Sequence, residues 1–163
     1  PRVVLDADAL TLLSQDASLQ SRLHQGCVLT PHAGEFARLA PDLAEAAQDE
    51  APDAKAEATR AAAERFGCTV LLKGAETCIA TPDGEAMRHR AEGARAAPWL
   101  ATAGAGDVLA GFITGLLARE IVPPQAAALA TWLHVETAHR HGPGLIAEDL
   151  PELLPSVLRE VVP

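Results

Sequence analysis

Three short apolar runs recur along the chain, and a polar cluster follows each of them. The runs occupy residues 2–5, 27–30 and 69–72. The polar clusters begin at Asp6, Pro31 and Lys73. Short, continuous apolar runs are typical of strands buried on both faces of a parallel sheet. Because ligands bind beyond the carboxyl ends of such strands, we expect the three clusters to form one site.

The remaining patterns place helices and one hairpin around these strands. Residues 53–66 predict a helix that ends at Gly67, and Pro82-Asp83-Gly84 predicts a turn between strands at 77–80 and 85–89. The sheet should therefore be mixed. From Asp107 the chain is apolar nearly all round, which predicts a helix buried in the middle of the domain. Further helices should begin at Pro123, running to about Arg140, and at Pro151.

Composition limits the class of partner and the compartment. The 163 residues include 13 basic and 22 acidic side chains, giving a net charge of −9 without a basic stripe, so no nucleic-acid partner is expected. No apolar run approaches the roughly 20 residues of a membrane span, and no signal-peptide pattern opens the chain, so we expect no membrane partner and a cytoplasmic protein. Cys27, Cys68 and Cys78 should be buried free thiols.

The strongest chemical signal is the small-residue loop from Thr102 to Gly106, which leads directly into Asp107 and a helix. Backbone N–H groups can converge in such a loop, and the helix N-terminus adds partial positive charge, so the pair can bind a transferring phosphoryl group. Asp107 could then take the proton of an attacking hydroxyl. The alternative is that the glycines permit tight packing and Asp107 is an ordinary helix cap.

Four blocks, in order, resemble those of the NAD(P)H-hydrate dehydratases, the carbohydrate-kinase-like branch of the ribokinase superfamily. They are residues 6–10, 29–36, 72–77 and 101–111. The resemblance implies an α/β fold, a ribokinase-like three-layer αβα sandwich with a mostly parallel central sheet. Residues 1–163 would form the C-terminal part of that domain with its N-terminal portion missing. The start without Met, on a strand-like run, also suggests a piece of something longer.

The same resemblance implies an activity. It is the ADP- or ATP-dependent dehydration, with Mg²⁺, of the hydrated cofactor (S)-NADHX or (S)-NADPHX to NADH or NADPH, through phosphorylation of the ring hydroxyl and elimination. One alternative is a sugar or vitamin-precursor kinase of the same superfamily, and another is a non-catalytic nucleotide-binding fragment. We also expect a homo-oligomer and an epimerase domain fused upstream.

The resemblance assigns roles to individual residues. Asp107 would be the catalytic carboxylate and contact the substrate together with His32 and Asp6, while Glu35 would act on Mg²⁺ through water. The residues expected to bind the nucleotide are Lys73, Gly74, Ala75, Glu76, Thr77, Gly104, Ala105 and Gly106.

Alternative interpretations remain for several polar residues. His32 could be a solvent-facing loop histidine, and Glu35 could be a charge at a helix N-terminus. We expect Asp6 to line the site and Asp8 to cap the following helix. A metal site at His134, His139, His141 and Glu136 is disfavoured, because their spacing indicates a polar helix face.

Overall fold

The structure, a computed structural model, describes residues 1–161. Five strands form one sheet in the order β1-β2-β3-β4-β5. Their bounds are β1 Val3–Leu5, β2 Cys27–Leu29, β3 Thr69–Leu72, β4 Glu76–Ala80 and β5 Ala86–Arg90. The first three pair in parallel, whereas β4 pairs antiparallel with both β3 and β5. The predicted strands and hairpin are confirmed, and β4 alone runs against the other four.

Successive strand residues point to opposite faces of the sheet, and both faces are buried. Cys27 and Leu29 face one apolar cluster, whereas Val28 between them faces the other. In β3, Leu72 lies with the first cluster and Leu71 with the second. A two-residue period with an apolar layer on each side requires apolar side chains at every position. This explains why the three parallel strands are short apolar runs.

Within residues 1–161, eight α-helices surround the sheet. They are α1 Asp8–Gln15, α2 Ala17–Gln20, α3 Ala33–Leu39, α4 Pro41–Ala44, α5 Ala54–Phe66, α6 Ala105–Ala118, α7 Pro123–His141 and α8 Asp149–Val161. Residues of α1 to α5 pack with one sheet face, α6 and α7 pack on the other, and α8 packs on α7. The three layers of the expected αβα sandwich are therefore present.

Helix ends follow the local sequence closely in two places. Helix α5 ends at Gly67, whose φ of 61° is the left-handed conformation that glycine adopts without a Cβ clash. Helix α7 begins at Pro123, as predicted, because proline has no N–H to leave unpaired at a helix start. Helix α8 begins at Asp149, two residues before the predicted Pro151.

The prediction that α6 is buried all round is wrong. Only one line of its side chains is buried, and Gly111 and Gly115 on another side are exposed. The buried line is Ala105, Leu109, Ile113 and Leu117. Positions four apart share one helix face, so α6 contacts the sheet as an outer-layer helix does. The apolar composition of a helix does not show which neighbouring elements cover it. The burial of α6 was overestimated for this reason.

The three cysteines are free and buried, as predicted. Burial raises the pKa of the Cys68 thiol to about 12 and that of Cys78 to about 11. Among the described residues, no helix combines the length and the apolar character needed to cross a membrane.

The one-sided burial of α6 predicts unequal costs for two neighbouring substitutions. Ile113→Ala removes a fully buried side chain and should lower the free energy of unfolding by about 2–5 kcal/mol. Thr114→Ala, at an exposed position, should change it by less than about 0.5 kcal/mol. Urea denaturation of both variants measures this difference. Equal losses would indicate that α6 is covered on all sides.

Candidate active site

An ion pair joins the carboxyl ends of two parallel strands. Asp6 follows β1, Lys73 follows β3, and the Lys73 Nζ donates to Asp6 Oδ1 at 2.8 Å. The side chains are only 18% and 12% exposed for Lys73 and Asp6. Strand β2 separates the two strands, so the contact spans the middle of the parallel part of the sheet. The predicted meeting of these polar clusters is thus observed.

Asp8 does not cap the helix after β1, contrary to prediction. Helix α1 begins at Asp8 itself, its N-cap is Ala7, and no side chain caps it. Ala7 has a φ of 49°, in the left-handed region that is unusual for a residue other than glycine. This backbone turn places Asp8 within the helix, where its side chain is exposed.

The start of α6 lies directly against the ion pair. A Cβ built on Gly106 would lie 3.3 Å from the Lys73 Nζ and 3.9 Å from Asp6 Oδ2. The N-cap is Gly104, whose φ is 84° and which no side chain caps. No described residue accepts a hydrogen bond from the N–H groups of Gly106 and Asp107. The free N–H groups and the ammonium together supply hydrogen-bond donors suited to an anion.

Asp107 lies in the first turn of α6, as predicted, and its side chain is exposed. It makes no hydrogen bond or ion pair with the described part of the chain. The alternative role as a helix cap is not observed, because Gly104 occupies the cap position. An exposed, unpaired carboxylate beside free N–H groups has the geometry of a general base, and this role stays a prediction.

His32 and Glu35 cap α3 reciprocally. His32 Nδ1 accepts from the N–H groups of Gly34 and Glu35 at 2.9 and 3.2 Å, while Glu35 Oε2 accepts from the His32 N–H at 2.8 Å. The spacing of the two residues, N-cap and N3, is the signal that could have predicted this capping box. The His32 side chain stays 56% exposed, so it can also contact a ligand.

Glu35 also lies near the ion pair, with Oε2 3.8 Å from the Lys73 Nζ. Its carboxylate therefore performs the helix N-terminal role that we considered as the alternative to a metal site. Within residues 1–161, no three His, Cys, Asp or Glu side chains are grouped closely enough to hold a metal ion. A water-mediated contact of Glu35 with Mg²⁺ stays a prediction.

A cavity of about 880 Å³ opens beside these groups. Many of the residues predicted to bind ligand line it, including His32, Lys73, Gly74, Ala75, Thr77 and Gly106. Its lining also includes the apolar side chains of Pro98, Leu100 and Val135. Apolar side chains together with a small number of polar groups are typical of a pocket for a small molecule.

Glu76 does not line this cavity. Its carboxylate accepts a hydrogen bond from Arg90 on β5, and this bond lowers the pKa of Glu76. The backbone of Glu76, rather than its side chain, is therefore the part available to shape the predicted nucleotide-binding segment.

His134 is a site residue that the sequence interpretation missed. It was assigned to a polar helix face, but it is buried and its Nε2 lies 2.9 Å from the Ala105 carbonyl oxygen. A carbonyl only accepts, so Nε2 carries the proton. Burial lowers the pKa of His134 to about 4, and the ring meets Phe112 edge to face. A neutral imidazole thus holds the first turn of α6 and lines the cavity.

The family of the chain follows from a match to a family model. The carbohydrate kinase model, described as NAD(P)H-hydrate dehydratase, matches residues 1–156. The chain belongs to the NAD(P)H-hydrate dehydratase family. The resemblance drawn from the four sequence blocks is confirmed.

Individual dehydratase relatives support the same assignment. The ADP-dependent (S)-NAD(P)H-hydrate dehydratase of Neisseria meningitidis is 44% identical over 140 residues, which cover 81% of this chain and 43% of that protein. The bifunctional NAD(P)H-hydrate repair enzyme Nnr of Moorella thermoacetica is 40% identical over 99% of this chain and 31% of its own length. The chain therefore spans less than half the length of these two curated relatives.

Solved structures of the family share the fold. The ADP/ATP-dependent NAD(P)H-hydrate dehydratase of Bacillus subtilis, co-crystallised with ATP and Mg²⁺, superposes with a TM-score of 0.77 at 31% identity. The alignment covers 98% of this chain and 55% of that chain. A hydroxyethylthiazole kinase structure from Pyrococcus horikoshii aligns at 22% identity with a TM-score of 0.69, which shows a common fold.

The buried neutral His134 predicts a pH dependence of stability. Its pKa is about 4 in the folded chain against 6.5 for an unburied histidine, so the unfolded state binds the extra proton between these values. The contribution to the unfolding free energy is complete above pH 6.5 and is lost as the pH falls toward 4. The loss should total about 3 kcal/mol, at about 1.4 kcal/mol per pKa unit.

Chemical denaturation of the parent and of His134→Gln across this pH range measures that contribution. Glutamine can still donate toward Ala105 but does not titrate, so the variant should lack this part of the slope. Parallel stability curves for the two proteins would contradict the assignment of a neutral, buried imidazole.

Proposed function

We propose that this chain carries out nucleotide-dependent dehydration of (S)-NADHX or (S)-NADPHX to the reduced cofactor. One observation carries the proposal. The free N–H groups at the start of α6 lie against the Lys73–Asp6 ion pair beside a large cavity, in a chain that the dehydratase family model matches over residues 1–156. The names of the relatives supply the substrate and the phosphoryl donor, ADP or ATP.

The N–H groups of Gly106 and Asp107, together with the Lys73 ammonium, would bind the phosphoryl group that is transferred. Donors fixed in advance stabilise charge on the phosphoryl oxygens at no cost in reorganisation during the reaction. These local donors explain how a chain of net charge −9 can hold phosphate. Mg²⁺, when bound with the nucleotide, would neutralise phosphate charge, and Glu35 is the residue proposed to contact it through water.

Asp107 would act as the general base. Its carboxylate takes the proton of the ring hydroxyl while the hydroxyl oxygen bonds to the terminal phosphorus and the bond to the donor nucleotide breaks. Phosphate then leaves with the electron pair of its C–O bond as the ring nitrogen donates electrons. Loss of a proton from the neighbouring carbon restores the double bond of the dihydronicotinamide. His32 and Asp6, at the same edge, are the residues proposed to contact the hydrated ring.

Incubating the chain with NADHX, Mg²⁺ and either ADP or ATP tests the activity. We expect the absorbance of reduced nicotinamide to return, with release of inorganic phosphate, and to require the nucleotide. A stable phosphoester without recovery of absorbance would indicate a kinase. Nucleotide binding without any product would contradict catalysis by this chain and support a binding fragment.

Substituting Asp107 tests its role as the base. Asp107→Asn should lower turnover by about 10²- to 10⁴-fold, the usual contribution of a positioned base, while the Kd for ADP stays close to the parental value. Asp8→Asn is a matched control, because Asp8 is also an exposed aspartate in the first turn of a helix. Parental turnover in Asp107→Asn would remove this carboxylate from the chemistry.

A further inference from the structure

Lys55 lies behind the segment 73–76, on the helix α5 that packs beneath it. Its Nζ donates to the carbonyl oxygen of Lys73 at 3.3 Å and to that of Glu76. A Cβ built on Gly74 would lie only 2.7 Å from this nitrogen, so the ammonium is in contact with the backbone of the segment. Burial lowers the pKa of Lys55, and no described carboxylate forms an ion pair with it. Its partners are backbone carbonyls.

Each of the four carbonyl oxygens of segment 73–76 accepts a hydrogen bond from another part of the chain. The donors, in segment order, are Lys55 Nζ, Thr77 Oγ1, the Ala91 N–H and Lys55 Nζ again. Lys55 thus donates two of these four hydrogen bonds. The Thr77 and Ala91 bonds measure 3.1 and 2.9 Å.

Two N–H groups in the middle of the segment are free, whereas the Lys73 N–H donates to the Pro31 carbonyl oxygen at 2.8 Å. No described residue accepts from the Gly74 or Ala75 N–H, and both residues are exposed and line the cavity. In a trans peptide the C=O and the following N–H point in opposite directions. Because Lys55 holds the Lys73 carbonyl, the Gly74 N–H points away from α5. Successive free N–H groups in a turn form a concavity that binds anions.

We propose that Lys55 is a positioning residue that holds segment 73–76 with the Gly74 and Ala75 N–H groups available to the phosphates of a bound nucleoside di- or triphosphate. The choice of ligand rests on the proposed function. Lys55 does not itself contact the nucleotide. Its ammonium donates to two carbonyls that would otherwise be free to turn into the cavity and repel phosphate oxygens.

Lys55→Met keeps the length of the side chain and removes its donors. We expect the Kd for ADP to rise about ten- to hundredfold, as for the loss of a charged hydrogen-bonding group, while the Kd for adenosine, which has no phosphate, stays unchanged. Calorimetry measures both. A purely structural role would instead weaken the binding of both ligands together. A lower melting temperature alone would not distinguish a structural role from a positioning role.

Arg60→Met is the matched control. Arg60 lies on the same helix and its Nε also donates to a carbonyl of the hairpin region, that of Gly84 at 3.1 Å, but Gly84, unlike Lys73, does not line the cavity. This variant removes one positive charge and one side chain-to-carbonyl bond, and it should bind ADP with the parental Kd. A loss equal to that of Lys55→Met would overturn the proposal.

Amide chemical shifts of the parent chain keep the proposal testable if Lys55→Met does not fold. ADP should shift the Gly74 and Ala75 amide resonances, and Lys55→Gln, which retains a shorter donor, should reduce those shifts and weaken ADP less than Met does. ADP binding that leaves both amides unshifted, or that is unchanged in a folded Lys55→Met, would overturn the role of Lys55. Failure of the parent chain to bind ADP would instead contradict the proposed function, which requires a nucleotide.

Discussion

The ion pair between Lys73 and Asp6 is the interaction on which the arrangement of the site depends. It crosses the middle strand of the parallel part of the sheet and fixes the carboxyl ends of β1 and β3 relative to each other. The first turn of α6 lies against it, and Glu35 of the α3 cap lies 3.8 Å from the same ammonium. Both partners are largely buried, so losing Lys73 would leave the Asp6 carboxylate without a compensating charge. The same ion pair therefore joins two strands of the sheet and positions the groups of the site.

The site presents backbone N–H groups from two directions, and in each case a side chain holds the backbone from behind. His134 holds the start of α6 through the Ala105 carbonyl, and Lys55 holds segment 73–76 through two carbonyls. The chain contains only two lysines, Lys55 and Lys73, and both lie at this edge of the sheet. In an acidic chain, both lysine ammonium groups and the oriented amides thus lie where an anion would bind.

Local patterns were sufficient to predict the strands, the hairpin and helix α5, because residue period and turn chemistry act within a few positions. The meeting of Asp6 and Lys73 could be predicted because parallel strands bring their carboxyl ends to one edge. The roles of Lys55 and His134 could not, since each depends on which carbonyl a distant element places beside it. The exposure of α6 and the backbone turn at Ala7 were missed for the same reason: both depend on tertiary packing.

Burial of the thiols limits their reaction with oxidants and alkylating reagents. Only the thiolate is an effective nucleophile, and the raised pKa of Cys68 and Cys78 keeps both protonated at neutral pH. None of the three cysteines is accessible in the folded chain. Peroxide or iodoacetamide can therefore react with these thiols only after the core opens. The rate of thiol modification then measures the rate or extent of that opening.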